Sequence, residues 1–196
     1  MEQLKRICVF CGSSVGSRPT YAAATRELGR TLAARGLGIV FGGGKVGLMG
    51  VLADAALAVG GEVIGVIPEA LVAREIAHTG LTKLHVVHSM HERKTLMADL
   101  ADAFIALPGG YGTLEEFLEA VTWTQLGIHK KPCGLLNVNG YYDALLALLD
   151  RAVADGFIRE ANRILVLDAP DVPMLLGKLE AFRPAAAKLR IGKAER

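Results

Sequence analysis

The segment from Leu37 to Ala58 reads LGIVFGGGKVGLMGVLADAALA and contains three features in a fixed order. A run of apolar residues ends at Phe41, a cluster of glycines follows, and apolar residues then recur at helical spacing. A short apolar run without alternation predicts a strand that is buried on both faces, and the helix behind it predicts a crossover connection. The segment therefore predicts the strand, turn and helix from which parallel sheets are built.

The same alternation repeats along the whole chain. Strands are predicted at Arg6–Cys11, Leu37–Phe41, Glu62–Ile67, Lys83–Val87, Ala103–Leu107, Pro132–Val138 and Arg163–Leu167. Helices are predicted at Thr20–Arg35, Gly47–Val59, His91–Ala101, Thr113–Gln125, Tyr142–Asp155 and Val172–Phe182. This order predicts an α/β protein with a Rossmann-like, doubly wound and mostly parallel sheet of about seven strands, with helices on both faces. No linker or repeat divides the chain, so we expect one domain over residues 1–183 and a loosely held tail over residues 184–196.

The composition excludes several classes of protein. The 196 residues include 22 Lys and Arg against 20 Asp and Glu, and no basic run is long enough to serve as a nucleic-acid arm. Charged residues interrupt every apolar stretch before the roughly 18 residues that a membrane helix needs. The N-terminal residues lack the apolar core and cleavage site of a signal peptide. We therefore expect a cytoplasmic protein without a nucleic-acid or membrane partner.

The cysteines and histidines indicate neither a disulfide scaffold nor a metal site. Three cysteines, Cys8, Cys11 and Cys133, are an odd number that favours a reducing compartment. Cys8 and Cys11 have C-x-x-C spacing, but they lie at the end of a predicted strand, where positions i and i+3 face opposite sides of the sheet. No second cysteine pair or H-x-x-x-H pair accompanies them, so we expect structural thiols and no bound metal.

The glycine turn of the opening segment has the pattern G-x-G-x-x-G at Gly42, Gly44 and Gly47. Glycines at such a turn let backbone N–H groups approach a phosphate, which would involve Gly43 and Gly44; close packing of the turn against the helix is the alternative. The next strand does not end in the acidic residue that a dinucleotide fold needs, and Val46 stands where a P-loop has Ser or Thr. The pattern alone leaves both interpretations open.

A second glycine turn, LPGGYGTLEE from Leu107 to Glu116, also joins an apolar run to a helix. Its glycines, a threonine hydroxyl and a helix N-terminus together form a cradle for one anionic group. Thr113 and Glu116 also fit a capping box, in which the glutamate accepts a hydrogen bond from the first residue of the motif. Glu116 is therefore either a helix cap or a catalytic carboxylate.

Two cations lie between the glycine turns, in the segment SMHERK. Ser89 and Glu92 form another capping-box pattern, and Arg93 and Lys94 follow in the second turn of the predicted helix. Cations near the positive end of a helix dipole are mildly unfavourable unless an anion is close. Either an anionic ligand lies beside them, or they belong to a solvated helix face and bond to Glu92 or Asp99.

Taken together, five segments resemble the LOG ("Lonely guy") family. They are FGGG at 41–44, PE at 68–69 with RE at 74–75, MHERK at 90–94, PGGYGTLEE at 108–116 and TWTQLGIH at 122–129. The resemblance extends from Ile7 to about Leu167. Members of this family are cytokinin riboside 5′-monophosphate phosphoribohydrolases, which cut the N-glycosidic bond of an N6-substituted AMP, and related bacterial members act on AMP. The family has often been labelled lysine decarboxylase, but no lysine here stands in a recognisable context for a pyridoxal phosphate Schiff base.

The resemblance implies a nucleoside 5′-monophosphate substrate, a homodimer, catalytic roles for Glu116 and Arg93, and no metal or organic cofactor. It implies substrate contacts at Gly43, Gly44, Glu75, Arg93, Lys94, Gly109, Gly110, Tyr111, Gly112, Thr113, Leu114, Glu115, Glu116 and Thr122. Judged without the family, the Arg74–Glu75 pair is typical of a protein surface. Met90, Trp123 and Leu126 are candidates to line the pocket for the purine substituent, and core or dimer contacts are the alternative for Trp123 and Leu126.

Two functions of different classes fit these residues. One is hydrolysis of the glycosidic bond, and the other is a non-catalytic sensor or carrier that holds a nucleotide on the same glycine turns. A phosphate holder needs the glycines but not the pair of Glu116 and Arg93. That pair therefore favours catalysis.

Overall fold

The computed structural model describes residues 4–72 and 77–183. Within these ranges the strands are β1 (Arg6–Phe10), β2 (Gly38–Phe41), β3 (Val63–Pro68), β4 (Lys83–Val87), β5 (Ala103–Ala106), β6 (Cys133–Leu136) and β7 (Val166–Ala169). The α-helices are α1 (Pro19–Ala34), α2 (Gly47–Leu57), α3 (Glu69–Val72), α4 (Met90–Leu100), α5 (Tyr111–Leu126), α6 (Asp143–Ala154), α7 (Glu160–Arg163) and α8 (Val172–Ala181). A short 3₁₀ helix covers Val138–Gly140. No helix among the described residues is long and apolar enough to cross a membrane.

All seven strands join one parallel sheet in the order β4-β3-β2-β1-β5-β6-β7. The first four strands step outward from β1, and the chain then returns to add β5 on the other side of β1. In the register at the centre, Cys8 lies opposite Val40 of β2 and Phe104 of β5. The order reverses between β1 and β5, and ligands of open α/β sheets bind at such a point, outside the carboxyl ends of the strands.

Two apolar layers cover the faces of the sheet. Ile7 and Val9 of β1 face a cluster with α1, α2 and α8, and Cys8 and Phe10 face a cluster with α4, α5 and α6. Four of the five β1 residues are buried, as a strand covered on both sides requires. The doubly wound α/β architecture predicted from the alternation of strands and helices is confirmed.

The thiols belong to these layers. Cys8 and Cys11 pack on opposite faces of the sheet, as their spacing at a strand end predicts. Burial raises the pKa of the Cys8 thiol well above its ordinary value and that of Cys133 to about 12. Buried thiols with a raised pKa are protonated at neutral pH and inert as nucleophiles.

The last strand differs from the prediction. The sequence predicts a strand at Arg163–Leu167, whereas β7 covers Val166–Ala169 and a short helix, α7, precedes it. The Arg163 side chain donates to Asp150 of α6 (2.6 Å), which holds the residue in the helix. The apolar pair that follows it therefore belongs to the connection. The predicted tail, residues 184–196, lies outside the described residues.

Gly47 starts α2 with φ 60°, in the left-handed region that side-chain-bearing residues rarely adopt. A Cβ built on Gly47 would also overlap the carbonyl group of Ser13, in the loop after β1. The position therefore needs glycine for two reasons, the backbone angle and the close approach of that loop. At Gly36 φ is 69°, but a Cβ there would meet no atom within 4 Å. A substitution at Gly36 therefore measures the cost of the backbone angle alone.

We expect Gly36→Ala to lower the free energy of unfolding by about 1 kcal/mol, the cost of the backbone angle alone. Gly47→Ala adds the overlap with Ser13 and is expected to cost about 3 kcal/mol. Urea denaturation of both variants measures the difference. Equal losses at the two positions would contradict the close packing of α2 on the loop after β1.

Candidate active site

Three loops meet at the carboxyl edge of the sheet, after β1, β2 and β5. The Gly12 N–H, in the loop after β1, donates to the Pro108 carbonyl (3.1 Å) in the turn after β5. The Gly12 carbonyl accepts from the Leu48 N–H (3.0 Å) in the first turn of α2. The loop after β1 therefore ties the two glycine turns together. Sequence analysis did not single it out, although its C-G-S-S run follows the first strand at this same edge.

Arg93 and Glu116 form an ion pair at the centre of this edge. Arg93 Nη1 lies 3.1 Å from Glu116 Oε1, and only 11% and 12% of the two side chains are exposed. Arg93 Nε donates to the Val66 carbonyl (3.1 Å) of β3, and Nη2 lies 3.5 Å from the Gly42 carbonyl at the end of β2. A Cβ on Gly42 would overlap the guanidinium group. The first glycine turn thus makes room for Arg93, which links the turn to the carboxylate.

This geometry decides the interpretation of Glu116. Helix α5 begins at Tyr111 with Gly110 as its N-cap, so Thr113 is the third helical residue and no capping box forms. The helix starts earlier than predicted because Gly110 takes the extended backbone of an N-cap, while Thr113 is buried beside Gly109. The capping interpretation of Glu116 is therefore wrong, and its carboxylate is held by Arg93 instead.

The cations of α4 are also not a solvated helix face. Arg93 is 9% exposed, and Lys94 Nζ contacts Glu115 Oε1 (2.6 Å) and Glu119 Oε1 (2.9 Å) of α5. The cap of α4 is confirmed at Ser89, whose hydroxyl accepts from the Glu92 N–H (3.1 Å). The anions that stabilise the two cations come from α5, and the sequence pattern could not identify them.

Burial raises the pKa of the Glu116 carboxyl above its ordinary value, although the positive charge of Arg93 opposes the rise. Burial lowers the pKa of Lys94, but its hydrogen bonds to Glu115 and Glu119 outweigh this effect and raise it. A buried carboxyl of raised pKa beside a fixed cation is suited to exchange a proton with a reacting group. Lys94 stays charged.

A recess lies between α4 and α5 and opens beside Glu116. Its lining residues are Phe10, Lys94, Ala98, Phe104, Glu116, Glu119, Ala120 and Trp123. Of the three candidates for the wall of a purine pocket, Trp123 lines this recess. Met90 is 45% exposed, and its sulfur lies 3.9 Å from Arg93 Nη1. The recess combines apolar walls with the carboxylates of Glu116 and Glu119 and the ammonium group of Lys94.

The glycines of the turn after β5 differ in their surroundings. A Cβ on Gly109 would overlap the Thr113 side chain, so Gly109 serves close packing. A Cβ on Gly110 or Gly112 would meet no atom within 4 Å, and Tyr111 between them is 93% exposed. The space in which a side chain of either residue would lie is therefore open, and the first amides of α5 have no partner within the helix. The arrangement is typical of anion sites at helix N-termini.

The turn after β2 has packing reasons for its glycines. Gly43 has φ 73°, and a Cβ there would lie 3.2 Å from Ile67 Cβ. Gly44 pairs with Ala77 in an isolated antiparallel bridge. Close packing is thus established for Gly43, while phosphate contact at Gly43 and Gly44 stays a prediction.

Thr122, a predicted site residue, does not join the Arg93–Glu116 pair. Thr122 is exposed, and its hydroxyl donates to the Leu118 carbonyl of its own helix (2.7 Å). Thr122 lies six residues beyond Glu116, so the two side chains point about 240° apart around the helix axis. Thr122 instead shares a face of α5 with Glu115. Glu75 lies outside the described residues. Leu114 packs at the border of the apolar layer.

Comparisons with known proteins agree with the motifs. A family model described as "Possible lysine decarboxylase" matches residues 49–179. The Oryza sativa protein named "Probable cytokinin riboside 5'-monophosphate phosphoribohydrolase LOGL9" is 56% identical over 183 residues, which is 93% of this chain and 81% of that protein. The Arabidopsis thaliana "Cytokinin riboside 5'-monophosphate phosphoribohydrolase LOG1" is 50% identical over 193 residues, 98% of this chain and 91% of that protein. The chain belongs to the LOG family. The resemblance inferred from the sequence motifs is thereby confirmed.

Solved structures support the fold of this LOG family member. A molybdenum cofactor binding protein from Rippkaea orientalis has a TM-score of 0.67 at 23% identity, over 92% of this chain and 98% of its own. A single-stranded DNA binding protein, DNA processing protein A from Helicobacter pylori, has a TM-score of 0.55 at 17% identity, over 91% of this chain and 82% of its own. At these identities the likeness concerns the fold alone. In the described part of the LOG chain, no three His, Cys, Asp or Glu side chains are grouped to hold a metal ion.

The ion pair predicts a change in the titration of Glu116. Arg93→Met removes the charge that holds the pKa of this carboxyl down, so we expect the pKa to rise further. Lys94→Met is the matched control, because Lys94 acts on Glu116 in the same direction but more weakly. Carbon-detected NMR of the Glu116 carboxyl measures both shifts. A larger rise with Lys94→Met than with Arg93→Met would contradict the arrangement.

Proposed function

We propose that this chain hydrolyses the N-glycosidic bond of cytokinin riboside 5′-monophosphates, and of AMP, giving the free base and ribose 5-phosphate. The observation that carries the proposal is the buried ion pair of Arg93 and Glu116, close to the glycine-containing N-terminus of α5. The names of relatives that are 50–56% identical over nearly the whole chain agree with it.

Cleavage of the glycosidic bond is favoured by a carboxylate at the position of Glu116. Breaking the bond between ribose C1′ and purine N9 develops positive charge on the ribose, which a nearby carboxylate stabilises. Water supplies the oxygen that joins C1′ and the proton that leaves with the base. Glu116, with its raised pKa, is the group proposed to accept the water proton.

Arg93 is proposed to hold Glu116 in place and to orient the nucleotide. Its guanidinium group is fixed by the carboxylate and by two backbone carbonyls, so it has one position relative to Glu116. A guanidinium group is a poor proton donor, because its pKa is above about 12. Its contribution is therefore positional and electrostatic.

The phosphate is assigned to the turn after β5. Gly110, Gly112 and Thr113 are proposed to hold it at the N-terminus of α5, with Gly109, Tyr111, Leu114 and Glu115 beside it. A fixed phosphate places C1′ against Glu116 and makes the attack of water effectively unimolecular. Lys94, Glu75, Gly43 and Gly44 complete the proposed substrate contacts, and Thr122 would reach a substrate from the face of α5 that it shares with Glu115. Lys94 already bridges Glu115 and Glu119, so its contact with a nucleotide would be shared with them.

The proposal includes a homodimer in a reducing, cytoplasmic compartment. Three free cysteines support the compartment. Exposed apolar side chains on the α5 and α6 side, Leu118, Leu148 and Phe157, support a covering partner copy.

Glu116→Gln keeps the shape of the side chain and removes the negative charge. We expect it to lower kcat for release of adenine from AMP, and of the base from N6-isopentenyl-AMP, by about 100- to 10,000-fold. Chromatography of timed reactions measures the release. The control is Glu180→Gln, on the surface of α8 and in an ion pair with Arg35, which is expected to match the wild type. Full turnover by Glu116→Gln would remove Glu116 from the mechanism, and a wild type that only binds nucleotide would favour the sensor.

The pH dependence follows from the raised pKa of Glu116. The carboxylate form of Glu116 is the active form, so kcat/KM falls as the pH drops through the pKa of Glu116 in the free enzyme. Because burial raises that pKa, the acidic limb is expected above 4.5, the ordinary value for glutamate. A pH–rate profile locates the limb. A limb below 4.5, or none that Glu116→Gln alters, would contradict the assignment.

A further inference from the structure

Two adjacent tyrosines behind the turn after β5 hold its backbone. Tyr142 Oη donates to the Leu107 carbonyl (2.6 Å), and Tyr141 Oη donates to the Gly109 carbonyl (2.6 Å). The carbonyl between them, of Pro108, accepts from the Gly12 N–H (3.1 Å). Three successive carbonyls of the turn are thus each fixed by a donor from another part of the chain.

The tyrosines themselves are held in place. They follow the 3₁₀ helix at Val138–Gly140, where Asn137 Oδ1 accepts from the Tyr142 N–H (2.7 Å) and Asn137 Nδ2 donates to Asp143 Oδ1 (2.7 Å). The Tyr142 side chain is fully buried, and the Tyr141 ring packs edge to face on Tyr142 (5.0 Å) and on Tyr21 of α1 (5.7 Å). Both hydroxyls therefore come from a rigid support.

The peptide bond between Gly109 and Gly110 connects the Tyr141 hydrogen bond to the N-terminus of α5. A trans peptide is planar, so its N–H points away from its C=O, and fixing the Gly109 carbonyl also fixes the direction of the Gly110 N–H. A hydrogen bond accepted by the carbonyl also polarises the peptide and strengthens its N–H as a donor. Gly110 is the N-cap of α5, where the structure leaves open space.

We propose that Tyr141 is a positioning residue for the 5′-phosphate, because its hydroxyl holds the Gly109 carbonyl and thereby fixes the direction of the Gly110 N–H before the substrate arrives. Tyr142 holds the start of the turn at Leu107, whose peptide with the following proline carries no N–H. The inference rests on the proposed function for the identity of the substrate. Tyr141 does not touch the reacting atoms, so its effect is on phosphate affinity. A group held equally in the ground state and the transition state changes KM rather than kcat.

The test uses Tyr141→Phe, which keeps the ring and its packing and removes only the donor. We expect the Kd of ribose 5-phosphate, measured by calorimetry, to rise about three- to tenfold, as the loss of one hydrogen bond implies. KM for AMP is expected to rise by the same factor with kcat unchanged, and kcat/KM for adenosine, which lacks the phosphate, is expected to stay at the wild-type value. Tyr142→Phe removes the donor to the Leu107 carbonyl, whose peptide with Pro108 has no N–H, so this variant is expected to bind ribose 5-phosphate like the wild type.

Tyr21→Phe is the matched control, because Tyr21 packs on Tyr141 but makes no described hydrogen bond to the turn. It is expected to bind ribose 5-phosphate like the wild type, and thermal unfolding checks that each variant is folded. Wild-type affinity for ribose 5-phosphate in Tyr141→Phe, an equal loss of affinity in Tyr142→Phe, an equal loss toward adenosine, or no binding of ribose 5-phosphate by the wild type would overturn the inference. If the wild type binds ribose 5-phosphate but cleaves no AMP, the proposed function fails while calorimetry still decides the role of Tyr141.

Discussion

A buried guanidinium group connects the parts of this site. Arg93 belongs to α4, yet its donors reach the ends of β2 and β3 and the carboxylate of Glu116 on α5. A charge taken out of water costs several kcal/mol unless it is paired and hydrogen-bonded, so the surrounding groups must stay where they satisfy it. The absence of a side chain at Gly42 and the position of α5 both follow from this constraint. The positive charge of Arg93 also limits the rise in the pKa of the buried Glu116 carboxyl.

The other half of the site is built from backbone. The turn after β5 is held from behind by hydroxyl and amide donors, and the first amides of α5 have no partner within the helix. Under the proposed function this division separates two tasks. The α4–α5 contact would supply charge for the glycosidic bond, and the turn would supply fixed dipoles for a phosphate.

Much of this could be predicted from sequence, because periodicity and turn residues are local signals. The apolar runs place all seven strands within a few residues, and glycine turns after strands identify the functional edge. The start of β7 was predicted too early because Arg163 bonds to Asp150 of α6, a contact that the sequence around Arg163 does not reveal. The motifs also identified the family.

The contacts within the site could not be predicted in the same way. Glu116 lies 23 positions beyond Arg93, and only the packing of α4 on α5 reveals that they pair. The local pattern at Thr113 instead favoured a capping box, which fails because Gly110 takes the cap and Thr113 packs on Gly109. The roles of Gly12, Tyr141 and Tyr142 are long-range hydrogen bonds to one turn, for which single residues carry no signal.

The most direct test of the central claim, that this site breaks a glycosidic bond, is a single turnover with wild-type protein in excess over N6-isopentenyl-AMP. The quenched mixture is separated by chromatography. The account predicts that free base and ribose 5-phosphate appear in equal amounts and together account for the nucleotide supplied. Recovery of the intact nucleotide from a protein shown to bind it would contradict the account.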